Sequence, residues 1–295
     1  MSSCGFQNKI QINMKKLFIL VMTVAAFAAC NKEAAIETPE GDAIAFGDVF
    51  VDHSTKAIYE TANDLTGFTV WGNVANVALY GTEGATVTRD SKNLGTAWTC
   101  SVTRYWTPSS TFNFAAIANG TGTNCVNGIP TKISYTLNGE DPADLVYGTA
   151  TATTDASCVP SGNITNGIVS FTLEHLLARV KVSFENQIEG GDYTYAISNV
   201  TLSTWDTGVY TIGAATPWAR VGEGTAALPY TAIPSLAYST TPTAAGAQVL
   251  IPGATMTLGF TYDLNLNGTT IYTTNVSKNV ETTLVKGLIQ LECSA

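Results

Sequence analysis

Short stretches in which apolar residues alternate with polar or small ones recur from residue 43 onward, and this two-residue period constrains the fold most. Successive side chains of a β-strand point to opposite faces, so each stretch presents one face to a core. No segment of this region sustains the 3.6-residue apolar period of a helix. The pattern predicts an all-β protein. Predicted strands include Phe68–Val70, Phe112–Phe114, Ile133–Leu137, Val169–Leu173, Val180–Phe184 and Leu258–Tyr262.

The apolar set changes parity between Phe171 and Phe184. Because side chains alternate along a strand, such a change requires either a β-bulge or passage from one core to another. We therefore place a domain boundary near residue 178. The earlier parity comprises Phe171, Leu173 and Leu177, and the later one comprises Leu176, Ala178, Val180, Val182 and Phe184.

Turns and loops are predicted where the alternation stops. Residues 148–167 are small and polar without an apolar period, which predicts a long loop or irregular edge. Asn138-Gly139 and Asn267-Gly268 suit the positive φ angles of type I′ hairpin turns.

Length and charge narrow the class of protein. A chain of 295 residues with 45% hydrophobic and 13% charged residues can form real cores, and two domains are the natural expectation. The net charge is −9 and the acidic residues are scattered, so the sequence predicts no nucleic-acid partner.

The N-terminal region has the organisation of a secretory signal peptide. From Met14, Lys15 and Lys16 precede an apolar run that is shorter than the roughly 20 residues of a membrane-spanning helix. Ala28 and Ala29 then precede Cys30, an arrangement that resembles a bacterial lipobox. We expect signal peptidase to cut between Ala29 and Cys30 and the Cys30 sulfur to be lipidated. The alternative is an ordinary signal peptide with a nearby cysteine.

Residues 1–13 contain no targeting signal, which favours Met14 as the true start.

The residues after Cys30 predict a flexible acidic tether, because acids and Pro or Gly occur there without any period. An acidic stretch directly after a lipidated cysteine resembles the surface-export signal of Bacteroidetes lipoproteins. The resemblance implies a surface-exposed lipoprotein of the cell outer membrane.

The sequence contains no recognisable catalytic, metal or cofactor motif, so we expect no enzyme activity, no cofactor and no metal site. Of the two histidines, His53 lies in the tether, and His175 lies in a predicted strand, where a hydrogen-bonded interior side chain is favoured. The cysteines lack the clustering that zinc requires. Export permits disulfides, with Cys125 and Cys158 as the favoured pair.

Several motifs, read in order, resemble the fimbrillin family of Bacteroidales, which comprises type V pilins and related surface lipoproteins. The most specific is F-x-L-x-H-L-L-A-R-V at residues 171–180, which follows D-L-V-Y at residues 144–147. Weaker matches are the lipobox, Ser54-Thr-Lys-Ala57 before Phe68-Thr-Val-Trp71, and Tyr105-Trp-Thr-Pro108 before Phe112-Asn-Phe114.

The resemblance implies two tandem transthyretin-like β-sandwich domains. It also implies cleavage after a basic residue, release of the first strand, and filling of the vacated groove by a strand of another subunit. The expected segments are a signal peptide at 1–29, a lipidated tether or propeptide at 30–56, and sandwiches at 57–178 and 179–295.

By position, the cut falls at Lys56-Ala57, where family pilins carry Arg. Either a protease that accepts lysine acts there, or the protein keeps its anchor and caps or anchors a fimbria. The implied donor strand lies in Leu284–Leu291, with Val285, Ile289 and Leu291 on one face. The ending at Glu292–Ala295 is abrupt, which leaves a truncated reading frame as an alternative.

The expected function is therefore a structural or accessory subunit of adhesive cell-surface fimbriae, with other fimbrial subunits and the outer membrane as partners. The alternative is a glycan-binding surface lipoprotein of a polysaccharide-uptake system. Its stacking platforms would be Trp71, Trp98, Trp106, Trp205 and Trp218.

Overall fold

The structure is a computed structural model that describes residues 41–51, 65–91, 97–137, 142–189, 192–280 and 287–294. Residues 40–295 form one compact unit. All regular structure in the described ranges is β-strand, which confirms the predicted all-β class, and no described segment is a helix able to cross a membrane. The strands are β1 (Ala45–Val51), β2 (Gly67–Val74), β3 (Val77–Ala78), β4 (Ala85–Thr88), β5 (Thr99–Cys100), β6 (Thr111–Ala118), β7 (Thr121–Thr123), β8 (Lys132–Thr136), β9 (Val146–Thr154), β10 (Pro160–Gly162), β11 (Ile164–Thr165), β12 (Ile168–His175), β13 (Ala178–Glu185), β14 (Tyr193–Trp205), β15 (Thr207–Thr211), β16 (Trp218–Arg220), β17 (Thr225–Pro229), β18 (Ile233–Leu236), β19 (Thr243–Leu250), β20 (Met256–Leu266), β21 (Thr269–Val280) and β22 (Gly287–Ser294).

The strands form four sheets. The largest has the order β1-β12-β9-β6-β2-β4-β5, with β3, β10 and β11 added at its sides. The order β17-β14-β20-β21, with β18 beside β14, makes the second, and β19-β13-β22 makes the third. The fourth, β16-β15-β8-β7, pairs strands from both sides of residue 178.

The described residues form three buried apolar clusters. The first draws its members from residues 44–173 and is rich in aromatic rings. The second draws its buried members from residues 178–258. The third combines Trp71, Ile117 and Ile133 with Leu176, Leu177 and the later residues Val249 and Ile251. The chain is therefore packed together across residue 178. The division into two sandwich domains at that point stays a prediction.

The change of parity near residue 178 is present in the structure. The buried side chains of β12 are Val169, Phe171, Leu173 and His175, whereas β13 buries Ala178, Val180, Val182 and Phe184. Between them Leu176 and Leu177 are both buried in the third cluster. The chain passes from the first core to the second here, so the second of the two predicted causes is the correct one.

The loop predicted at residues 148–167 is wrong, because most of that segment is strand β9 followed by β10 and β11. Ala150 and Ala152 are only 3% and 1% exposed and lie opposite Phe114 and Phe112 of β6. Alanine suffices on the buried face of β9 because large rings on β6 fill the volume beside it. The alternate alanines of β9 therefore form its buried face.

The hairpin predicted at Asn267-Gly268 is confirmed. These two residues connect β20 to β21 and have φ angles of 50° and 76°. Such positive values at both central positions match a type I′ turn. The other predicted turn, at Asn138-Gly139, lies outside the described residues.

Candidate functional site

The strand nearest the expected cleavage point is β1, which lies at one end of the largest sheet. It pairs in parallel with β12, from Ala45 beside Ile168 to Val51 beside Leu173. A parallel pair is not joined by a hairpin, so β1 can leave this edge without unfolding a turn. Lys56 and Ala57 themselves lie outside the described residues, as do Ala29 and Cys30.

The residues just before β1 make a second attachment. The Ile44 amide donates a hydrogen bond to the Arg104 carbonyl at 2.7 Å, and the Trp106 amide donates to the Asp42 carbonyl at 3.1 Å. The start of this segment is therefore hydrogen-bonded to residues 104–106, and its continuation is bonded to β12.

Ile44 and Phe46 anchor this segment in the first core, because they are only 5% and 4% exposed. The Phe46 ring lies 5.6 Å from the ring of Phe114 and 6.1 Å from those of Phe171 and Tyr80. The next residue is Gly47, where a Cβ would approach Ile168 Cγ2 to 3.0 Å. A side chain at this position would require Ile168 to give way by a few tenths of an ångström, so glycine suits the close approach of β1 to β12.

The C-terminal strand β22 occupies a comparable position beside β13. It runs parallel to β13 in continuous register, with Ile289 beside Val180 and Leu291 beside Val182. β22 begins at Gly287, so Val285 lies outside the described residues. Of the predicted strand Leu284–Leu291, the structure describes residues 287–291 as part of β22, and β22 continues to Ser294.

β12 and β13 are consecutive in the chain, so the two edge strands are bound by neighbouring parts of one segment. A buried polar pair marks the point where this segment changes core. His175 Nδ1 lies 2.7 Å from Asp144 Oδ2, and the two side chains are 1% and 0% exposed. Asn119 donates its side-chain amide to the Asp144 carbonyl at 2.8 Å. The predicted interior, hydrogen-bonded histidine is confirmed.

Asp144 is the partner that sequence reasoning did not assign to His175. The signal was present in the two motifs, since D-L-V-Y begins with Asp144 and the later motif contains His175. The Leu176 amide also donates to the Leu145 carbonyl at 2.9 Å, so backbone bonds hold the two motifs together beside the side-chain pair. Neither side chain reaches solvent, and this pair is suited to positioning strands rather than to chemistry.

The tryptophans do not form an exposed binding platform. Trp71 and Trp106 are each 2% exposed, and Trp98, Trp205 and Trp218 are partly buried against the cores. The indole nitrogens of Trp71 and Trp218 donate to the carbonyls of Thr82 and Leu176 at 2.9 and 3.1 Å. These side chains are structural, and their placement does not favour the glycan-binding alternative.

The predicted disulfide between Cys125 and Cys158 is wrong. Cys100, Cys125 and Cys158 are thiols, and Cys158 lies in the first cluster whereas Cys125 packs against the third. The Cys125 thiol donates to the Thr82 carbonyl at 3.2 Å. Burial raises the pKa of Cys125, and nearby Glu83 raises it further. Within the described ranges, no three His, Cys, Asp or Glu side chains converge as metal ligands.

Comparison with known proteins agrees with this architecture. No curated protein sequence matches the chain. The structure is similar to the crystal structure of a fimbrial protein from Bacteroides vulgatus, with a TM-score of 0.54 and 16% identity, covering 85% of this chain and 95% of that one. A candidate cell adhesion protein from Bacteroides uniformis gives a TM-score of 0.47 at 14% identity, covering 78% and 86%.

The fimbrial anchor protein Mfa2 from Porphyromonas gingivalis gives a TM-score of 0.35 at 12% identity and covers 80% of this chain and 82% of that one. A family model described as fimbrillin-like matches residues 55–291, which is most of the sequence. The chain belongs to the fimbrillin-like family.

Proposed function

We propose that this protein is a structural or accessory subunit of cell-surface fimbriae of the type V pilus kind, and that it assembles by donor-strand exchange. Membership of the fimbrillin-like family supports the fimbrial role. One observation carries the assembly mechanism. Strand β1 precedes Lys56 and lies parallel at a sheet edge, and it and the residue before it insert Phe46 and Ile44 into the first core.

Export comes first in the proposed sequence of events. Signal peptidase cuts between Ala29 and Cys30, and acylation of Cys30, palmitate included, holds the protein in the cell outer membrane. The acidic tether then directs it to the outer surface. Two sandwiches divided near residue 178 follow, and the later part of the 30–56 segment, strand β1, packs into the first core.

Cleavage at Lys56-Ala57 would next separate β1 from the rest of the chain. Each large apolar side chain that leaves the core exposes surface worth about 1.5–3 kcal/mol, so β1 does not depart unless another strand replaces it. Departure of Phe46 would uncover Phe114, Phe171 and Tyr80, its ring neighbours. The resulting groove is apolar, and β12 supplies a free backbone edge for a new strand.

The C-terminal strand of another subunit is the proposed occupant. Within its own chain β22 already pairs in parallel with β13, which supports its ability to add to an edge in the same sense as β1 adds to β12. Val285, Ile289 and Leu291 share one parity and would supply alternate side chains to the groove. The partners are thus other fimbrial subunits, and the assembled fibre supports adhesion.

Sequencing the N-terminus of the protein from native cells tests the processing step. A start at Ala57 identifies a processed subunit, and an acylated Cys30 identifies a retained anchor. A start elsewhere, with neither acylation nor cleavage at Lys56, contradicts the proposed route.

Limited digestion with a lysine-specific protease tests the assembly step. We expect cleavage at Lys56, verified by intact mass, to convert the purified monomer into oligomers on size exclusion. Lys56→Gln is the matched control and remains monomeric after the same treatment. A protein cut at Lys56 that has lost β1 and stays monomeric at high concentration would overturn strand exchange. The double variant Ile289→Asp/Leu291→Asp should be cut normally but fail to form oligomers.

A further inference from the structure

The outer edge of β21 is a second surface suited to association between chains. β21 pairs with β20 on one side, from Val280 beside Met256 to Thr269 beside Leu266. On its other side no described strand pairs with it, since β21 ends the order β17-β14-β20-β21. It is 12 residues long, and most of its side chains are exposed. The edge therefore presents a long row of unpaired backbone donors and acceptors.

This edge lacks most of the features that prevent strands from pairing with other molecules. Natural edge strands are usually short, bulged, or protected by charged residues and proline. β21 has the sequence TTIYTTNVSKNV, which contains no proline, no glycine and no acidic residue, and its single charge is Lys278 near one end. Its one irregularity falls at Ile271, outside the central run of residues 272–277.

An apolar surface also continues to this edge. On β20, Phe260, Tyr262 and Leu264 are only partly buried against the second core. The Tyr262 ring lies 6.2 Å from the ring of Tyr272 on β21, and Tyr272 is 54% exposed. A cavity of about 370 Å³ opens beside this row, lined in part by Phe260, Tyr262 and Val276. A further strand at the β21 edge would cover surface that β21 leaves exposed.

We propose that the occupant is a second copy of this chain, paired through β21 in antiparallel orientation about a twofold axis at Thr274. In this register Tyr272 of each copy lies opposite Val276 of the other. Aromatic and β-branched residues opposite one another are a favourable cross-strand pair. The β17-β14-β20-β21 sheets of the two copies would then form one continuous sheet.

The charges fit the same register. Lys278 lies opposite Thr270, so the only charged residues of the two strands do not face each other. Thr273 lies opposite Asn275. Within each chain the Thr273 hydroxyl already donates to Asp263 Oδ1 at 2.6 Å, and Asn275 Oδ1 accepts from the Thr261 hydroxyl at 2.7 Å. The pairing is thus self-complementary, which a twofold interface requires.

This association uses neither β1 nor β22 and needs no cut at Lys56. It can therefore be tested on the uncut protein, where strand exchange does not contribute. Failure of one proposal leaves the other standing.

Sedimentation equilibrium of the uncut chain, verified by intact mass, is the test. We expect the wild-type protein to show a reversible monomer–dimer equilibrium. Thr274→Lys and Thr274→Asp each place two like charges opposite one another on the axis, and each should weaken the dimer by about tenfold or more. An equimolar mixture of the two variants should recover dimer, because Lys then faces Asp.

Thr225→Lys is the matched control, since Thr225 is an exposed threonine on β17 at the opposite edge of the same sheet. It should dimerise like the wild type. Recovery in the mixture also excludes misfolding as the cause of the loss. A wild-type protein that stays monomeric at all concentrations, variants that dimerise unchanged, or a mixture that recovers nothing would each overturn the proposal.

Discussion

Asp144 and His175 illustrate how a single buried contact can hold two distant parts of this chain together. The residues are 31 positions apart, and their 2.7 Å contact is closed to solvent. A buried pair of this kind contributes little net stability when formed, but removing one member leaves the other buried without its partner. Its value lies in fixing the position where β12 leaves the first core.

We expect Asp144→Ala to lower the free energy of unfolding by about 3–5 kcal/mol, because His175 would stay buried without its partner. Urea denaturation of the uncut protein measures this loss. Glu223→Ala is the control, since the Arg220–Glu223 contact lies at the surface and should add nothing measurable. The single variants Asp144→Leu and His175→Phe are compared with the double variant. If the double variant loses as much unfolding free energy as the two single variants together, the residues are not coupled.

Tyr80, which is buried, and Tyr230, which is partly buried against the second core, link stability to alkaline pH. Burial raises the pKa of both Tyr80 and Tyr230 far above the ordinary value of 10.0. The folded protein keeps these phenols neutral, whereas the unfolded chain ionises them near pH 10. Above about pH 10 the unfolded state therefore binds fewer protons than the folded state, and stability falls as pH rises.

The same tyrosines should respond oppositely to loss of the hydroxyl at neutral pH. The Tyr80 hydroxyl is buried and makes no hydrogen bond in the described structure, so Tyr80→Phe should be neutral or stabilising. Tyr230 donates to the Val180 carbonyl at 3.0 Å, so Tyr230→Phe should cost about 1 kcal/mol. Each variant should also lose less stability than wild type above pH 10. Urea midpoints at neutral and alkaline pH measure both effects, and equal losses at neutral pH would contradict the assignment.

At the scale of elements, β1 and β22 are the two strands whose positions depend on non-local parallel pairing. Each lies at a sheet edge, and β12 and β13, which hold them, follow one another in the chain. A strand held at one edge can be exchanged more readily than one that is paired on both sides. The anchor of β1 is the buried ring of Phe46.

Phe46→Ala should therefore lower the stability of the uncut protein by about 3 kcal/mol and accelerate hydrogen exchange of the β1 amides. After cleavage at Lys56 and removal of β1, wild type and variant should be indistinguishable, because the altered residue has left. Thermal unfolding before and after cleavage makes the comparison. Val77→Ala, at a side chain that is 66% exposed, should change neither form. An effect that persists after β1 is removed would contradict its role as a replaceable strand.

At the scale of the whole molecule, the third cluster connects residues before and after position 178. Trp71 and Ile133 pack with Val249 and Ile251 there, and β8 pairs with β15 across the same division. Any separate sandwiches near residue 178 thus share a packed interface. Unfolding of one should be transmitted to the other.

Ile251→Ala should lower stability by about 2–5 kcal/mol and speed hydrogen exchange in strands on both sides of residue 178. Leu228→Ala is the matched control, because Leu228 is equally buried but belongs to the second cluster. Its effect should be largest in the later strands. Hydrogen exchange read by mass spectrometry distinguishes the two patterns, and a response to Ile251→Ala confined to one side would contradict the coupling.

Features that depend on local period and turn chemistry were predictable from the amino-acid order alone. Alternation predicted the all-β class and strands such as β6, β12 and β20, because the two-residue period reflects which side chains face a core. The parity change predicted the passage between cores near residue 178. Asn267-Gly268 predicted its hairpin because positive φ angles are required there.

Contacts between distant residues became apparent only in the folded molecule. β9 was missed because alanines form a buried face only when the large rings of β6 lie opposite them. Asp144 could not be assigned to His175, nor β1 to β12, because neither contact leaves a periodic signal in the intervening chain. Pairing between remote strands depends on complementary faces and register. The outer edge of β21, with which no strand of the described ranges pairs, is likewise visible only in the sheet order.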